Sequence, residues 1–316
     1  MLRLLFATIL LLGIPCAAAD PIDRLHILIP GAAGGGWDRT ARGTGEALQR
    51  SGLVNTVTFE NMSGGGGGKA VAHLIEIKQS TTIMINSTPI VVRALRGVFP
   101  QSFRDLAPVA SIIGDYSVIA VKTESPYQTL ADLAGDIAAD YRRVPIAGGS
   151  VTGGTDHIVS AMVAQGFGLD ATQLKYIPYD AGGKAMAGLL SGEAKALASG
   201  YGEVVDLVQQ GWVRLLCIAA EKRLPISAQT PTCIEAGAEG VVFVNWRGFF
   251  AAKETHRDQL KSYQTMLGTM QNTRAWNEVR DRYGWVDLYR PGVDFERMLF
   301  DQEERLAALL KELGML

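Results

Sequence analysis

Histidine and cysteine are scarce in this sequence, with four and three copies among 316 residues. The histidines lie in separate segments without the H-x-x-x-H spacing of a metal-binding helix, at His26, His73, His157 and His256. The few cysteines likewise do not form the ligand set of a zinc site. The composition therefore indicates no metal site and no other bound cofactor.

A surplus of either charge is also missing, since 30 basic residues face 32 acidic ones and the net charge is −2. This balance excludes the strongly basic surface of a nucleic-acid-binding protein. The hydrophobic content of 47% excludes a disordered chain, and a chain of this length can bury a core without a disulfide scaffold. Glycine is in excess, with 36 copies in clusters, against roughly 7% of residues in average usage.

The only long apolar run lies at the start of the chain. A basic start at Arg3, the apolar residues 4–14 and the small residues 17–19 form the three-part pattern of a secretory signal peptide. The run is shorter than the roughly twenty residues of a transmembrane helix, and no later uncharged apolar run reaches that length. We predict that residues 1–19 are removed near Ala19, with a lipoprotein signal at Cys16 as the alternative.

Signal-peptide cleavage would leave two cysteines, Cys217 and Cys233. In an oxidising compartment such a pair can be bridged. Cys217 also lies in the mostly apolar run 213–220, which is typical of a buried free thiol in a strand. The sequence leaves both interpretations open.

Short apolar runs alternate with amphipathic segments along the chain, which predicts βαβ units around a mainly parallel sheet. The predicted strands are 25–30, 56–61, 81–85, 117–121, 144–147, 174–178 and 194–198. Glycine or a small hydroxyl residue precedes each predicted helix, just beyond the end of a strand. In open α/β sheets, ligands bind at that edge.

The units fall into two clusters, which predicts two lobes with a binding cleft between them. The apolar stretch 241–251 is interpreted as a strand that returns to the first lobe. We therefore expect a discontinuous first lobe of residues 20–120 and 246–316 and a second lobe of residues 121–245. The tail, residues 256–316, is predicted to be helical and should bury Leu299, Leu306, Leu310 and Leu313 on one face.

Glycine loops that open helices expose backbone N–H groups and a positive helix dipole, so they favour an anion. The loop 31–36 lacks the G-x-G-x-x-G register because residue 33 is Ala33. The loop 63–70 resembles a P-loop, but Ser63 replaces its first glycine and Ala70 its magnesium-binding hydroxyl. These departures exclude nucleotide hydrolysis and leave a phosphate or a carboxylate as the anion.

The segment Gly148–Thr152 nearly forms the nucleophile elbow G-x-S-x-G, with Thr152 in the last position. Ser150 with His157 as its base would make an exported serine hydrolase. No acid completes the set, so hydrolysis remains an alternative and no catalytic residue is predicted.

Several short segments, taken in order, resemble the receptor family of tripartite tricarboxylate transporters, the Bug-type periplasmic solute-binding proteins. These segments are Gly34–Asp38, Glu60–Asn61, Gly148–Ser150 with His157, Ile177–Tyr179 with Gly182–Gly183, Leu189–Glu193, Pro231–Gly237 and Trp246–Ala251. The resemblance implies an α/β, type II (Venus-flytrap) binding protein with a mainly parallel sheet in each lobe. It also implies a periplasmic monomer that captures a di- or tricarboxylate, such as citrate. Such a receptor delivers its ligand to one large and one small membrane subunit, while a sensory receptor of the same fold is a further alternative.

The resemblance further implies that loops 31–38 and 63–68 grip one carboxylate and that segments 150–156 and 179–183 close over the rest. Asp38 could instead be an ordinary acid at a helix start, and Trp37 could be core. The expected ligand-binding residues are Gly34, Gly35, Gly36, Trp37, Asp38, Ser63, Gly65, Gly66, Asn86, Ser87, Ser150, Thr152, Gly154, Thr155, Asp156, Tyr179 and Asp180.

Overall fold

The computed structural model describes residues 22–77, 79 and 81–316, so the predicted signal peptide lies outside the described residues. These residues form ten β-strands and ten α-helices. The strands are β1 (Ile22–Ile29), β2 (Val54–Asn61), β3 (Thr82–Ser87), β4 (Leu106–Lys122), β5 (Ile146–Gly148), β6 (Tyr176–Pro178), β7 (Ala196–Gly200), β8 (Val213–Ile218), β9 (Val244–Ala252) and β10 (Val286–Pro291). The helices are α1 (Gly36–Arg50), α2 (Gly68–Ile77), α3 (Pro89–Leu95), α4 (Leu130–Ala139), α5 (Thr155–Gly166), α6 (Gly182–Ser191), α7 (Tyr201–Gln209), α8 (Arg257–Gln271), α9 (Arg274–Tyr283) and α10 (Gly292–Glu312). Within the described part of the chain, no helix is long and apolar enough to cross a membrane.

The strands form two parallel groups joined by antiparallel strands. In the first group β1 lies between β2 and β3, and in the second β5 lies between β6 and β7, with all four pairings parallel. Strand β9 is inserted between β3 and β4 and is antiparallel to both. The resulting strand order is β2-β1-β3-β9-β4-β7-β5-β6, with β8 and β10 also paired to β4. The predicted parallel units are present, and the returning strand makes the whole sheet mixed.

Strand β4 belongs to both lobes. Its residues 106–116 pair with β9 and its residues 117–120 pair with β7. We define the first lobe by β1–β3, β9, β10 and the start of β4, and the second lobe by β5–β8 and the end of β4. The lobe boundaries at residues 120 and 245 remain a prediction.

Two parts of the sheet differ from the sequence prediction. The predicted strand at residues 117–121 is only the end of β4, which begins at Leu106, and β10 was assigned to a helical tail. Pro108 and Asp115 interrupt the apolar pattern of β4, and proline is unusual inside a sheet. Pairing with β9 on one side nevertheless keeps these residues in an extended conformation.

Helix α10 covers the first lobe with the apolar face that the sequence predicts. Leu299, Leu306, Leu310 and Leu313 are each at most 4% exposed and belong to one core cluster with residues of α2 and α3. This packing places α3 between the tail helix and the cleft. The tail therefore supports one wall of the candidate site.

A disulfide joins Cys217 of β8 to Cys233, which is one of the two alternatives that the sequence leaves open. Both cysteines are fully buried. The bridge ties the edge strand of the second lobe to the segment that leads into β9. It closes a loop with a sequence separation of 16 residues.

Replacing both cysteines, Cys217→Ala with Cys233→Ala, should lower the free energy of unfolding by about 3 kcal/mol, because a closed loop of this length restricts the unfolded chain. Urea unfolding of the wild type and the double variant measures the difference. Reductant should destabilise the wild type and leave the variant unchanged. Two free thiols in denatured, unreduced wild type would contradict the bridge.

Candidate functional site

Two cavities lie side by side between the lobes and share six wall residues, Gly31, Trp37, Pro89, Gly149, Ser150 and Asp180. The smaller one, which we call the polar cavity, encloses about 80 Å³. The second, which we call the larger cavity, encloses about 390 Å³. Loops of both lobes contribute to each wall, so a ligand placed here would contact both lobes.

Three helices begin at the polar cavity without a side-chain cap. The residues before α1, α5 and α6 are Gly35, Gly154 and Ala181, and none of them has a side chain that caps the helix. Helices α4 and α9, away from the cleft, are capped by Thr129 and Thr273. Ser150 Oγ accepts from the Asp156 N–H in the first turn of α5, whereas the first turns of α1 and α6 leave backbone N–H groups for a ligand. The dipoles of all three helices favour negative charge.

A buried ion cluster forms the floor of the polar cavity. Arg247 of β9 is 3% exposed, and its Nη2 donates to Asp115 Oδ2 at 3.2 Å and to Glu203 Oε1 at 3.4 Å. Asp115 also accepts a bond from the Gly202 N–H at 3.1 Å. The cluster joins both lobes, because β9 belongs to the first lobe and Glu203 lies in the first turn of α7 in the second lobe.

The glycines at the helix starts make room for this cluster. A Cβ atom at Gly36 would overlap the guanidinium of Arg247, and one at Gly182 would overlap the carboxylate of Glu203. At these two positions glycine is required for close approach of a charged side chain. The first turns of α1 and α6 therefore pack directly against the ion cluster.

Two carboxyl groups of the cleft have raised pKa values. Burial and the nearby Glu203 carboxylate raise the pKa of Asp156 to about 7. Burial raises the pKa of Asp115 to about 6, although Arg247 and the Gly202 N–H act in the opposite direction. Asp156 is therefore partly protonated near neutral pH and can donate a hydrogen bond into the polar cavity.

Asp38 holds the first glycine loop and lines neither cavity. Its Oδ2 accepts from the Gly34 N–H at 2.9 Å, while its Oδ1 accepts from Arg42 Nε at 2.9 Å and from Asn61 Nδ2 at 3.0 Å. The carboxylate is buried, so these three donors replace water. Asp38 therefore supports the shape of the first glycine loop.

Trp37 separates the two glycine loops and lines both cavities. Its Nε1 donates to Ser87 Oγ at 2.9 Å, and its ring lies against Gly31 and Gly67. The side chain is half-buried and forms a wall between the loops. Trp37 therefore forms part of the cavity wall.

Ser150 and His157 have separate partners. Ser150 Oγ accepts from the Asp156 N–H at 3.0 Å and lies 3.1 Å from the Tyr176 hydroxyl. His157 Nδ1 accepts from the Gly153 N–H at 2.8 Å, and its ring stacks on Tyr176. Burial and the nearby Arg96 lower the pKa of His157 to about 4. The imidazole is thus neutral at pH 7 and shapes the loop before α5.

Most of the predicted ligand-binding residues line the cleft. Those on the polar cavity are Gly35, Gly36, Trp37, Ser87, Ser150, Thr155, Asp156 and Asp180. Those on the larger cavity include Ser63, Gly65, Gly66, Thr152, Gly154 and Tyr179. Gly34, Asp38 and Asn86 line neither cavity. Direct ligand contact by any of them remains a prediction.

Five polar or charged wall residues are absent from the prediction. They are Arg93 and Arg96 on the larger cavity and Glu203, Asn245 and Arg247 on the polar cavity. The segment Trp246–Ala251 is part of the family resemblance, but no pattern in the sequence indicates that Arg247 lies at the site. In the described part of the chain, no group of three or more His, Cys, Asp or Glu residues could hold a metal ion.

Residues 41–315 match the family described as "Tripartite tricarboxylate transporter family receptor", and the chain belongs to this family of periplasmic solute-binding receptors. A relative from Agrobacterium vitis is described as a UPF0065 protein in the TAR-I ttuE-ttuC' intergenic region. It is 23% identical over 327 residues, which cover 98% of this chain and 90% of the relative.

Solved structures confirm the expected two-lobed α/β fold of periplasmic binding proteins. The periplasmic binding protein BugD is 20% identical with a TM-score of 0.84, over 93% of this chain and 99% of BugD. MatC of Rhodopseudomonas palustris, solved with bound malate, is 18% identical with a TM-score of 0.81, over 92% of this chain and 99% of MatC. Rpa4515 of R. palustris, solved with adipate, is 20% identical with a TM-score of 0.85, over 93% of this chain and 98% of that protein.

The raised pKa values of Asp115 and Asp156 predict that these two groups lower the stability as the pH rises from about 4 to about 7. In this window each binds more protons in the native state than in the unfolded state, where its pKa is the ordinary 3.8. The lowered pKa of His157 acts in the opposite direction between about 4 and 6.5. Each extra proton contributes at most about 1.4 kcal/mol per pH unit. Urea unfolding across this range measures the slope.

The variant Asp156→Asn should reduce this pH dependence and gain stability relative to the wild type near pH 7, because it resembles the protonated carboxyl. The exposed Asp301 of α10 offers a matched control. Asp301→Asn should leave the slope unchanged. An unchanged slope in Asp156→Asn would show that this group does not take up the proton.

Proposed function

We propose that the protein captures a small di- or tricarboxylate in the interlobe cleft and delivers it to the membrane subunits of a tripartite transporter, without catalysis. The convergence of three helix N-termini on the polar cavity supports this most strongly, because their dipoles favour an anion and the first turns of α1 and α6 offer it backbone donors. Membership of the receptor family and the dicarboxylates in MatC and Rpa4515 agree with it.

One carboxylate of the ligand would occupy the polar cavity. Its volume of about 80 Å³ suits a carboxylate group with a few waters and is too small for a whole organic acid. The remainder would extend into the larger cavity through the wall that the two cavities share. The ligand would then contact the first lobe at Gly36 and the second lobe at Thr155 and Gly182.

The acidic groups of the floor are compatible with an anionic ligand. Arg247 offsets part of the negative charge of Asp115 and Glu203. A protonated Asp156 would donate to the ligand carboxylate instead of repelling it. The positive ends of α1, α5 and α6 add to this attraction.

A hydrolase using Ser150 receives less support, because His157 Nδ1 accepts from a backbone N–H and the lowered pKa of His157 makes it a weak base. Labelling with a fluorophosphonate tests it, and stoichiometric modification of Ser150 would favour hydrolysis. A sensory receptor with the same pocket is the other alternative. Pull-down of the two membrane subunits by the ligand-loaded protein would favour transport.

We also propose that the chain is exported, cleaved near Ala19, and works as a monomer in the periplasm. N-terminal sequencing of the secreted protein tests the cleavage. Light scattering with and without ligand tests the oligomeric state.

A screen of di- and tricarboxylates by thermal shift, followed by calorimetry, should reveal at least one acid that raises the unfolding temperature. A ligand at about 100 times its Kd adds roughly 2.7 kcal/mol of stability. Native mass spectrometry of the protein purified without added ligand provides a second readout. Absence of both a bound acid and any thermal shift would refute the proposed function.

Two neighbouring glycines of α6 test the location of the site. Gly182→Ala should weaken carboxylate binding about tenfold or more, because the added Cβ displaces the Glu203 carboxylate from Arg247. Gly183→Ala is the matched control, since a Cβ there meets no atom within 4 Å. Calorimetry should show near wild-type affinity for the control. Equal affinities of both variants would place the carboxylate elsewhere.

A further inference from the structure

Arg93 of α3 is a buried cation on the wall of the larger cavity, with 3% of its surface exposed. Its Nε donates to the Pro89 carbonyl at 3.2 Å and its Nη1 to the Gly65 carbonyl at 3.4 Å. Its Nη2 has no hydrogen-bond partner. No carboxylate of the described residues forms an ion pair with it, so its charge is uncompensated.

Burying a guanidinium without an acidic partner costs free energy. Burial lowers the pKa of Arg93 to about 10, which still leaves a cation at neutral pH. Among the described residues the other buried arginine, Arg247, has two acidic partners, Asp115 and Glu203. A buried, unpaired charge at a cavity wall is therefore unusual and indicates that the missing partner comes from outside the chain.

The second glycine loop is packed against this arginine. A Cβ at Gly68 would lie 2.7 Å from Arg93 Nη1 and equally close to the Phe99 ring. A Cβ at Gly66 would lie 3.3 Å from Arg93 Cδ. The side-chain-free segment 64–68 thus allows the guanidinium to lie between the loop and Phe99, with 5.8 Å from Cζ to the ring centre.

A second guanidinium, Arg96, lies one turn further along the chain on the same cavity wall. Its Nη1 donates to the Thr152 carbonyl of the second lobe at 2.7 Å, and it has no acidic partner among the described residues. Asp180 is the one acid on this wall, and Lys184 binds it at 3.0 Å. The charged side chains on this wall therefore carry a positive surplus.

The rest of the wall is largely apolar. Val92, Val98 and Val151 line the larger cavity together with Trp37. Val98 and Val151 are 53% and 46% exposed, although both are large hydrophobic residues. Apolar groups of a ligand would cover them, whereas a chain of hydroxyl groups would find few partners.

We propose that Arg93, together with Arg96, forms a second anion subsite that binds the far carboxylate of an α,ω-dicarboxylate whose apolar chain crosses the larger cavity. This inference rests on the proposed function, because it assumes that the first carboxylate occupies the polar cavity. Arg93 then determines specificity for diacids over monoacids. A hydroxylated tricarboxylate such as citrate should bind less tightly than the best diacid.

Calorimetry with unbranched α,ω-dicarboxylic acids of increasing length and their monomethyl esters tests this subsite. In the wild type, at least one diacid should bind about 30-fold more tightly than its ester, because the ester lacks the second charge. Arg93→Met should reduce that ratio to about threefold or less while the ester keeps its affinity. Arg93→Lys, which keeps the charge without the planar fork, should give an intermediate ratio.

Arg104→Met is the matched control, since Arg104 also lies over phenylalanine rings but lines neither cavity. It should keep the wild-type ratio. The unfolding temperature of free Arg93→Met should equal or exceed that of the wild type, because an unpaired buried charge is removed. A lower temperature would instead indicate a structural role for Arg93 and would count against the subsite.

The possible outcomes separate this inference from the proposed function. Tight binding of diacids and esters alike in the wild type, or an unchanged ratio in Arg93→Met, overturns the subsite and leaves carboxylate capture intact. Tighter binding of citrate than of every diacid also overturns it. Failure of every acid to bind overturns the proposed function and the subsite with it.

Discussion

Arg247 is buried where the two lobes meet, and the arrangement of the cleft depends on its ion pairs with Asp115 and Glu203. Removing one partner of a buried pair typically costs about 3–5 kcal/mol, because the other charge is left without compensation. Glycines at the start of neighbouring elements accommodate the cluster, including Gly200, where a Cβ would overlap the Asp115 carboxylate. The residues just before α1 and α6, Gly35 and Ala181, carry no capping side chain. Space for a buried charge and backbone donors for an anion therefore come from adjacent positions of the same loops.

The cleft has two ends of different chemistry. The polar cavity combines helix N-termini with carboxyl groups of raised pKa, whereas the larger cavity combines apolar walls with guanidinium groups. Helix α3 and the residue that follows it contribute the two arginines of the larger cavity, Arg93 and Arg96, and α3 rests on the tail helix α10. A ligand that spans both cavities would thus depend on residues far apart in the sequence. Binding and closure of the lobes would be linked through contacts such as Arg96 with the Thr152 carbonyl.

Local patterns in the sequence were sufficient for the strand–loop–helix units, the glycine loops and the apolar face of α10. They were insufficient for β4, whose polar Asp115 is stabilised by the Gly202 N–H and by Arg247, both far away in the sequence. They also missed Arg93, which looks like an ordinary helical arginine until Phe99 and the loop 64–68 enclose it. The run of five glycines also does not reveal from sequence alone that Gly64–Gly67 all have positive φ. At these four positions a side chain would be strained.

The position of β9 has a consequence for the growing chain. Residues 244–252 form the strand between β3 and β4. On the side that faces β9, both strands therefore remain unpaired until the last quarter of the chain has been synthesised. Unpaired strands are templates for wrong pairing, and contacts of long sequence separation form slowly. The nascent first lobe is therefore an incomplete sheet with two open edges. A factor that shields β3 and β4 during synthesis would improve the yield of folded protein more than one that acts on the continuous second lobe.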